Sequence, residues 1–79
     1  MVPENDSAII VTIAILGGTG KEGSGLAMRW ALNGYRVIIG SRDATRAAEK
    51  AAELNTTLGG DYLIGTDNAE ATAQANLVV

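Results

Sequence analysis

The sequence has no cysteine, no histidine and no phenylalanine. Without cysteine there is no disulfide framework, no thiol chemistry and no thiolate metal site. Without histidine the commonest metal ligand and the usual proton shuttle near neutral pH are gone. Aromatics are scarce, with one Trp and two Tyr, and there is a single proline. Positive charge is also short: 6 Lys and Arg stand against 9 Asp and Glu, for a net charge of -3. That balance argues against nucleic acid or an anionic membrane as the main partner. No apolar run approaches the roughly 20 residues of a membrane span. The acidic start, MVPENDSA, does not read as a signal peptide. The expected setting is the cytoplasm.

What is present is small and apolar. Of the 79 residues 47% are hydrophobic and ten are glycine. Ala and Gly in place of large rings suit helices packed tightly on a sheet. The composition is that of a globular chain, and the length allows one domain or part of one. A single core of this size leaves a stability margin on the order of 3–5 kcal/mol.

Residues 1–8 are polar and aperiodic, and are expected to be a loose leader. Residues 9–16 form an apolar, β-branched run interrupted only by Thr12 and ended by Gly17. This predicts a strand buried on both faces, as in parallel sheets. Residues 21–33 predict a helix with Leu26, Ala27, Trp30 and Ala31 on its apolar face, stopped by Asn33-Gly34. Trp30 is expected to pack against the sheet or a neighbouring chain rather than stack on a cofactor. Residues 35–40 (YRVIIG) predict a second strand. Residues 43–55 are a strong helix by propensity, with Asp43 or Ser41 as N-cap. A loop over 56–60, a third strand over 61–65 and a short helix over 67–75 follow. Asp67 and Glu70 form a capping-box pattern with Asp in the Ser/Thr position. Leu77-Val78-Val79 begins a fourth strand.

Alternating strands and helices mean parallel pairing through right-handed crossovers. The expected fold is α/β: a three-layer, Rossmann-like parallel sheet of about four strands and three helices. An apolar fourth strand with nothing after it leaves a sheet edge and part of a face uncovered. The expectation is therefore an incomplete domain over 9–79, completed by a missing C-terminal segment or by self-association as a homo-oligomer.

The centre of the sequence is the glycine cluster after the first strand. Gly18-x-Gly20-x-x-Gly23 fits G-x-G-x-x-G, follows a predicted strand and opens a predicted helix, which is the context the pattern requires. One glycine permits the tight turn, the next lets backbone approach a pyrophosphate, and the last lets helix and strand pack closely. The pyrophosphate would rest on free N–H groups at the helix start, where the helix dipole favours an anion. The alternative is a glycine-rich turn without a ligand. A triphosphate-binding P-loop does not fit, because Gly20-Lys21 is followed by Glu22 and position 15 is Ile. Nor does the T-G-x-x-x-G-x-G of short-chain dehydrogenases, since Gly23 and Gly25 fall one place early.

The second strand tip bears on which dinucleotide. NAD-preferring sites carry an Asp or Glu about 20 residues after the glycines, bonded to the adenosine ribose. Here the tip reads Gly40-Ser41-Arg42. A hydroxyl and a guanidinium suit a ribose 2′-phosphate, to which Arg presents a two-toothed fork. Arg46 lies one helical turn further on. Each charge-assisted hydrogen bond is worth roughly 1.5–3 kcal/mol, enough for a pair to set NADP over NAD. The alternative is that both arginines are solvated helix residues, with Arg46 paired to Glu49. Asp43 lies past the tip and is assigned to capping.

These residues together resemble a known family. The run from Ile13 through GGTG-x-x-G-x-G-L-A to Arg29, then Val37-Ile-Ile-Gly-Ser-Arg42, is similar to NADPH-dependent reductases of coenzyme F420, a deazaflavin. Asp67-Asn-Ala-Glu-Ala and Ala75-Asn-Leu-Val-Val look like that family's third helix and fourth strand. The resemblance implies an N-terminal Rossmann domain, a smaller C-terminal part and hydride transfer between the nicotinamide C4 of NADP(H) and C5 of the deazaflavin. It places Thr19, Gly20, Lys21 and Glu22 along the pyrophosphate turn, beside Gly18 and Gly23 of the glycine motif, and Ser41, Arg42 and Arg46 around the 2′-phosphate. The family's C-terminal part, where most of the deazaflavin site would be built, has no counterpart here. Trp30 stands where a smaller aliphatic residue is usual.

Hydride transfer needs cofactors held face to face more than it needs a protein acid or base, so no catalytic side chain is nominated. Two other readings stay open: another NADP-dependent Rossmann reductase, such as an imine or metal-ion reductase, and a non-catalytic nucleotide-binding module or fragment.

Overall fold

Strand β1 (Thr12–Leu16) lies inside a four-stranded parallel sheet, paired on both sides. The computed structural model describes residues 10–17 and 20–79. The predicted leader, with Ile9 at the start of the expected first strand, lies outside them. The element order is β1, α1 (Lys21–Leu32), β2 (Arg36–Ser41), α2 (Ala44–Leu58), β3 (Leu63–Asp67), α3 (Asn68–Gln74) and β4 (Leu77–Val78). In the sheet the order is β3-β2-β1-β4, every pair parallel.

The two faces of the sheet carry different helices, and strand alternation decides which side chain meets which. Ile13, Ile15, Val37, Ile39 and Leu63 pack against Ala27, Ala31, Ala47, Ala51 and Leu54 of α1 and α2. Ala14 and Ile38 point the other way and meet Ala71 of α3. A strand covered on both sides has no polar face, which is why the first run reads as continuously apolar. Full burial of each Ile or Val side chain contributes about 1.5–3 kcal/mol.

The helices approach closely because their contact residues are small. On α1 the buried residues are Ser24, Ala27 and Ala31. Trp30 is half-buried and packs on this core, as the sequence suggested. Leu26, expected on the inner face, is exposed instead. Ser24, Ala27 and Ala31 turn the buried stripe away from it, and Met28 supplies the further apolar contact. Asn33 and Gly34 end α1 as predicted: Gly34 has φ +94°, its N–H bonds the Ala31 carbonyl, and Asn33 Nδ2 bonds the Arg29 carbonyl at 2.7 Å.

Helix α2 runs three residues past the expected end at Asn55. Thr56 and Thr57 are helical, not loop. Their hydroxyls donate to the carbonyls of Ala52 and Glu53 one turn back, which satisfies them inside the helix. Leu58 packs on the core, and Gly59 at φ +81° makes the stop. The third strand accordingly starts at Leu63, two residues later than expected. The chain before it is held by the Asn55 side chain, which accepts from the N–H groups of Tyr62 and Leu63 and donates to the Leu63 carbonyl.

The last strand is tied to the first by a paired clamp. Thr12 N donates to Asn76 Oδ1 and Asn76 N donates to the Thr12 carbonyl, both at 2.8 Å. Leu77, Val78 and Val79 are about half exposed in this chain. Among the described residues no helix is long and apolar enough to cross a membrane.

Candidate functional site

The C-terminal ends of β1, β2 and β3 share one edge of the sheet with the start of α1. Strand β1 leads outward to β2 on one side and to β4 on the other, so the strand order reverses beside it. In open α/β sheets a crevice forms at such a point. Gly17 closes β1 with φ +69°, and its N–H bonds the Gly40 carbonyl at 2.9 Å. The tips of β1 and β2 are thereby locked together.

Gly18 and Thr19 lie outside the described residues. Gly20 is the N-cap of α1 in an extended conformation, with no side chain bonded over the helix start. Lys21, Glu22 and Gly23 form the first turn; the first two are exposed and Gly23 is half-buried. A Cβ on Gly20 would meet nothing within 4 Å, and its φ of -79° suits any residue. Neither packing nor dihedral within the described chain requires glycine there. Bare backbone beside an uncapped helix start is what approach to an anionic group needs.

A cleft of about 370 Å³ adjoins this turn, lined by Gly17, Ser41, Arg42, Asp43, Arg46 and Asn68. The fold thus brings Ser41, Arg42 and Arg46 together. Asp43 is the N-cap of α2: its Oδ1 accepts from Thr45 N at 3.0 Å and Arg46 N at 3.2 Å. Ser41 is the residue before the turn rather than the competing cap. Its Oγ accepts from Asp43 N at 3.2 Å, which leaves the hydroxyl proton available to donate.

Arg42 and Arg46 are exposed, and among the described residues neither guanidinium has an ion pair; the Arg46–Glu49 pairing does not form. The ion pair on that helix joins Lys50 to Glu53 instead. Among the described residues the cleft therefore holds two guanidinium groups without an ion pair, one hydroxyl donor and one carboxylate whose Oδ1 accepts from two backbone N–H groups. Such a donor set fits a phosphate monoester on a dinucleotide ribose.

Two lining residues were not singled out from sequence. Gly17 was read only as the end of the strand. Asn68 begins α3, with α1, β2, α2 and β3 between it and the glycine turn in sequence, and nothing local marks it. Asp67 does the capping, accepting from Glu70 N at 2.8 Å. The box is half-formed, because the Glu70 carboxylate accepts from Gln74 Nε2 one turn on.

Comparison with known proteins bears on the family and the fold. The family described as NADP oxidoreductase, coenzyme F420-dependent, matches residues 12–79. The chain is similar to the F420-dependent NADP reductase of Methanothermobacter thermautotrophicus, 44% identical over 73 residues, covering 90% of this chain and 32% of that protein. It is similar to the F420-dependent NADP reductase of Methanothermobacter marburgensis, 48% identical over 69 residues, covering 85% of this chain and 31% of that protein. The chain thus spans about a third of the length of the curated relatives it matches. Among solved structures, quinate dehydrogenase from Corynebacterium glutamicum in complex with NAD superposes with a TM-score of 0.71 at 22% identity, over 89% of this chain and 26% of that one. Menthone neomenthol reductase from Mentha piperita superposes at 0.67 and 28% identity, over 73% of this chain and 21% of that one. These likenesses show the Rossmann-like fold.

Proposed function

This chain belongs to the coenzyme F420-dependent NADP oxidoreductase family, and on that footing we propose that it is the NADP(H)-binding part of an enzyme moving hydride between NADPH and coenzyme F420. The observation that carries the reading is the cleft itself. Ser41, Arg42 and Arg46 line it with Gly17, and the one carboxylate beside them is turned into a helix cap. In this reading Gly18 through Gly23 receive the pyrophosphate and the start of α1 offers it free N–H groups. The hydroxyl of Ser41 and the guanidiniums of Arg42 and Arg46 hold the ribose 2′-phosphate. NADP(H), when bound, supplies the hydride chemistry; this chain's residues bind and orient it.

The proposal takes residues 9–79 as the nucleotide-binding domain and residues 1–8 as a leader. It places the protein in the cytoplasm and puts most of the deazaflavin site on a C-terminal segment or a second subunit. The reading is supported by the relatives named F420-dependent NADP reductases. It is tested by titrating the chain with NADPH and with NADH, following nicotinamide fluorescence. The expected result is NADPH binding tighter by about a hundredfold, from two charge-assisted contacts of about 1.5 kcal/mol each. Equal affinities would overturn the NADP assignment, and absence of binding would overturn the site.

A further inference from the structure

Asn68 holds the one buried polar side-chain atom without a hydrogen-bond partner among the described residues, its Oδ1. An unpaired buried carbonyl is disfavoured, because water is lost and nothing replaces it. The side chain lines the same cleft as Ser41, Arg42 and Arg46. The fold also makes space for it. A Cβ on Gly40 would stand 2.8 Å from Asn68 Oδ1, 3.0 Å from Leu16 Cδ2 and 3.1 Å from Ala71 Cβ. Gly40 does not have positive φ, so what glycine provides there is room, and the carboxamide occupies part of it. The other two neighbours of that space, Leu16 and Ala71, present apolar side-chain carbons. A leucine would fill it without the unpaired oxygen.

We propose that Asn68 is a specificity-determining residue of the dinucleotide cleft, whose Oδ1 accepts a hydrogen bond from an N–H or O–H donor of the adenosine moiety. This rests on the reading of the cleft as an NADP(H) site and adds a contact on β3-α3 to those on β1-α1 and β2-α2. Arginines and a serine hydroxyl can hold the phosphate, while the side-chain acceptors of the lining are the Asp43 carboxylate, whose Oδ1 is engaged in the α2 cap, and the Asn68 carboxamide oxygen. Adenosine brings donors that need one: the base amino group and the ribose 3′-hydroxyl. Rotation of the carboxamide about χ2, a broad torsion in Asn, would exchange Oδ1 and Nδ2 and turn the oxygen toward a ligand in the cleft. The unpaired oxygen is then an acceptor held in reserve for the ligand.

The test is equilibrium binding of NADPH to the chain and to Asn68→Leu, each paired with a thermal melt of the ligand-free protein. The expected result is about tenfold weaker NADPH binding, the loss of one hydrogen bond, with a melt unchanged or raised. A role in folding alone would lower the melt and leave the affinity of the folded fraction intact, which would overturn the proposal. Two analogues identify the donor on the unsubstituted chain: NADPH carrying hypoxanthine for adenine, and 3′-deoxy-NADPH. One of them should bind about tenfold weaker, and that loss should vanish in Asn68→Leu. If both analogues bind like NADPH, the proposal fails, whatever the variant does. If the chain binds no NADPH, the cleft reading itself falls and this inference with it; if NADPH binds and Asn68→Leu is indifferent, only the role of Asn68 falls.

Discussion

Gly65 of β3 lies directly under the backbone of α2 at Ala47. A Cβ on Gly65 would overlap the Ala47 carbonyl and come within 2.7 Å of the Ala48 nitrogen. Helix and strand touch main chain to main chain, and the Ala47 side chain is fully buried beside them. This contact sets the height of α2 above the sheet. It therefore also sets where the start of α2, with Asp43 and Arg46, stands relative to the tip of β2.

Gly65→Ala is accordingly expected to be the most damaging glycine-to-alanine change among the described residues. The obstacle is a helix backbone and not the end of a flexible side chain, so it cannot swing aside. Overpacking of this kind costs about 3 kcal/mol, against a margin on the order of 3–5 kcal/mol for a core this small. The far-ultraviolet melt should lose most of its cooperative transition at room temperature. A melt like that of the parent chain would show that α2 can lift off the sheet.

Arg42→Ala should weaken NADPH binding by about tenfold or more while leaving NADH binding unchanged, since only the former carries the 2′-phosphate that the guanidinium would hold. Arg46→Ala should act in the same direction and more weakly, because this residue stands one helical turn further from the strand tip. Fluorescence titration with both nucleotides reads the difference. An equal loss for both would remove the assignment of these arginines to the 2′-phosphate.

Asn55→Leu should destabilise the fold without touching the nucleotide. Its carboxamide carries the hydrogen bonds to Tyr62 N, Leu63 N and the Leu63 carbonyl, at 2.9, 2.8 and 2.9 Å. Their loss, with the N–H groups of the strand entry left short of partners, costs about 2–3 kcal/mol. Hydrogen exchange should accelerate first at Tyr62 and Leu63, while NADPH affinity of the folded protein holds. Protection lost evenly across the sheet would contradict a local clamp.

Much of the candidate site was legible in the sequence because its parts are local. Gly20, Ser41 and Arg42 sit where a strand ends or a helix begins, and such junctions show as a change of period beside a glycine, serine or charged residue. The end of α1 was read correctly for the same reason: Asn33 and Gly34 act on their own turn. The end of α2 was misplaced because Thr56 and Thr57 look like turn residues, while their hydroxyls bond back into the helix. Leu26 was misassigned because an apolar residue at helical spacing need not lie in the narrow stripe that small residues bury. Asn68 was not singled out because its place in the cleft comes from lying against Gly40, 28 positions earlier, and no local spacing records that.

The sequence by itself determined the strands, the helices and their order, since apolar runs on both faces, alanine-rich segments and glycine stops act over a few residues. Right-handed crossovers then allow few arrangements. Only the tertiary structure decided that β1 to β3 step outward under α1 and α2 while α3 returns across the other face to seat β4. That return is what carries Asn68 into a cleft with Gly17, Ser41, Arg42 and Arg46. The physical reason is that backbone pairing and steric exclusion between segments far apart in the chain fix these distances. Gly40 and Gly65 are small because of what lies across from them, not because of what lies beside them.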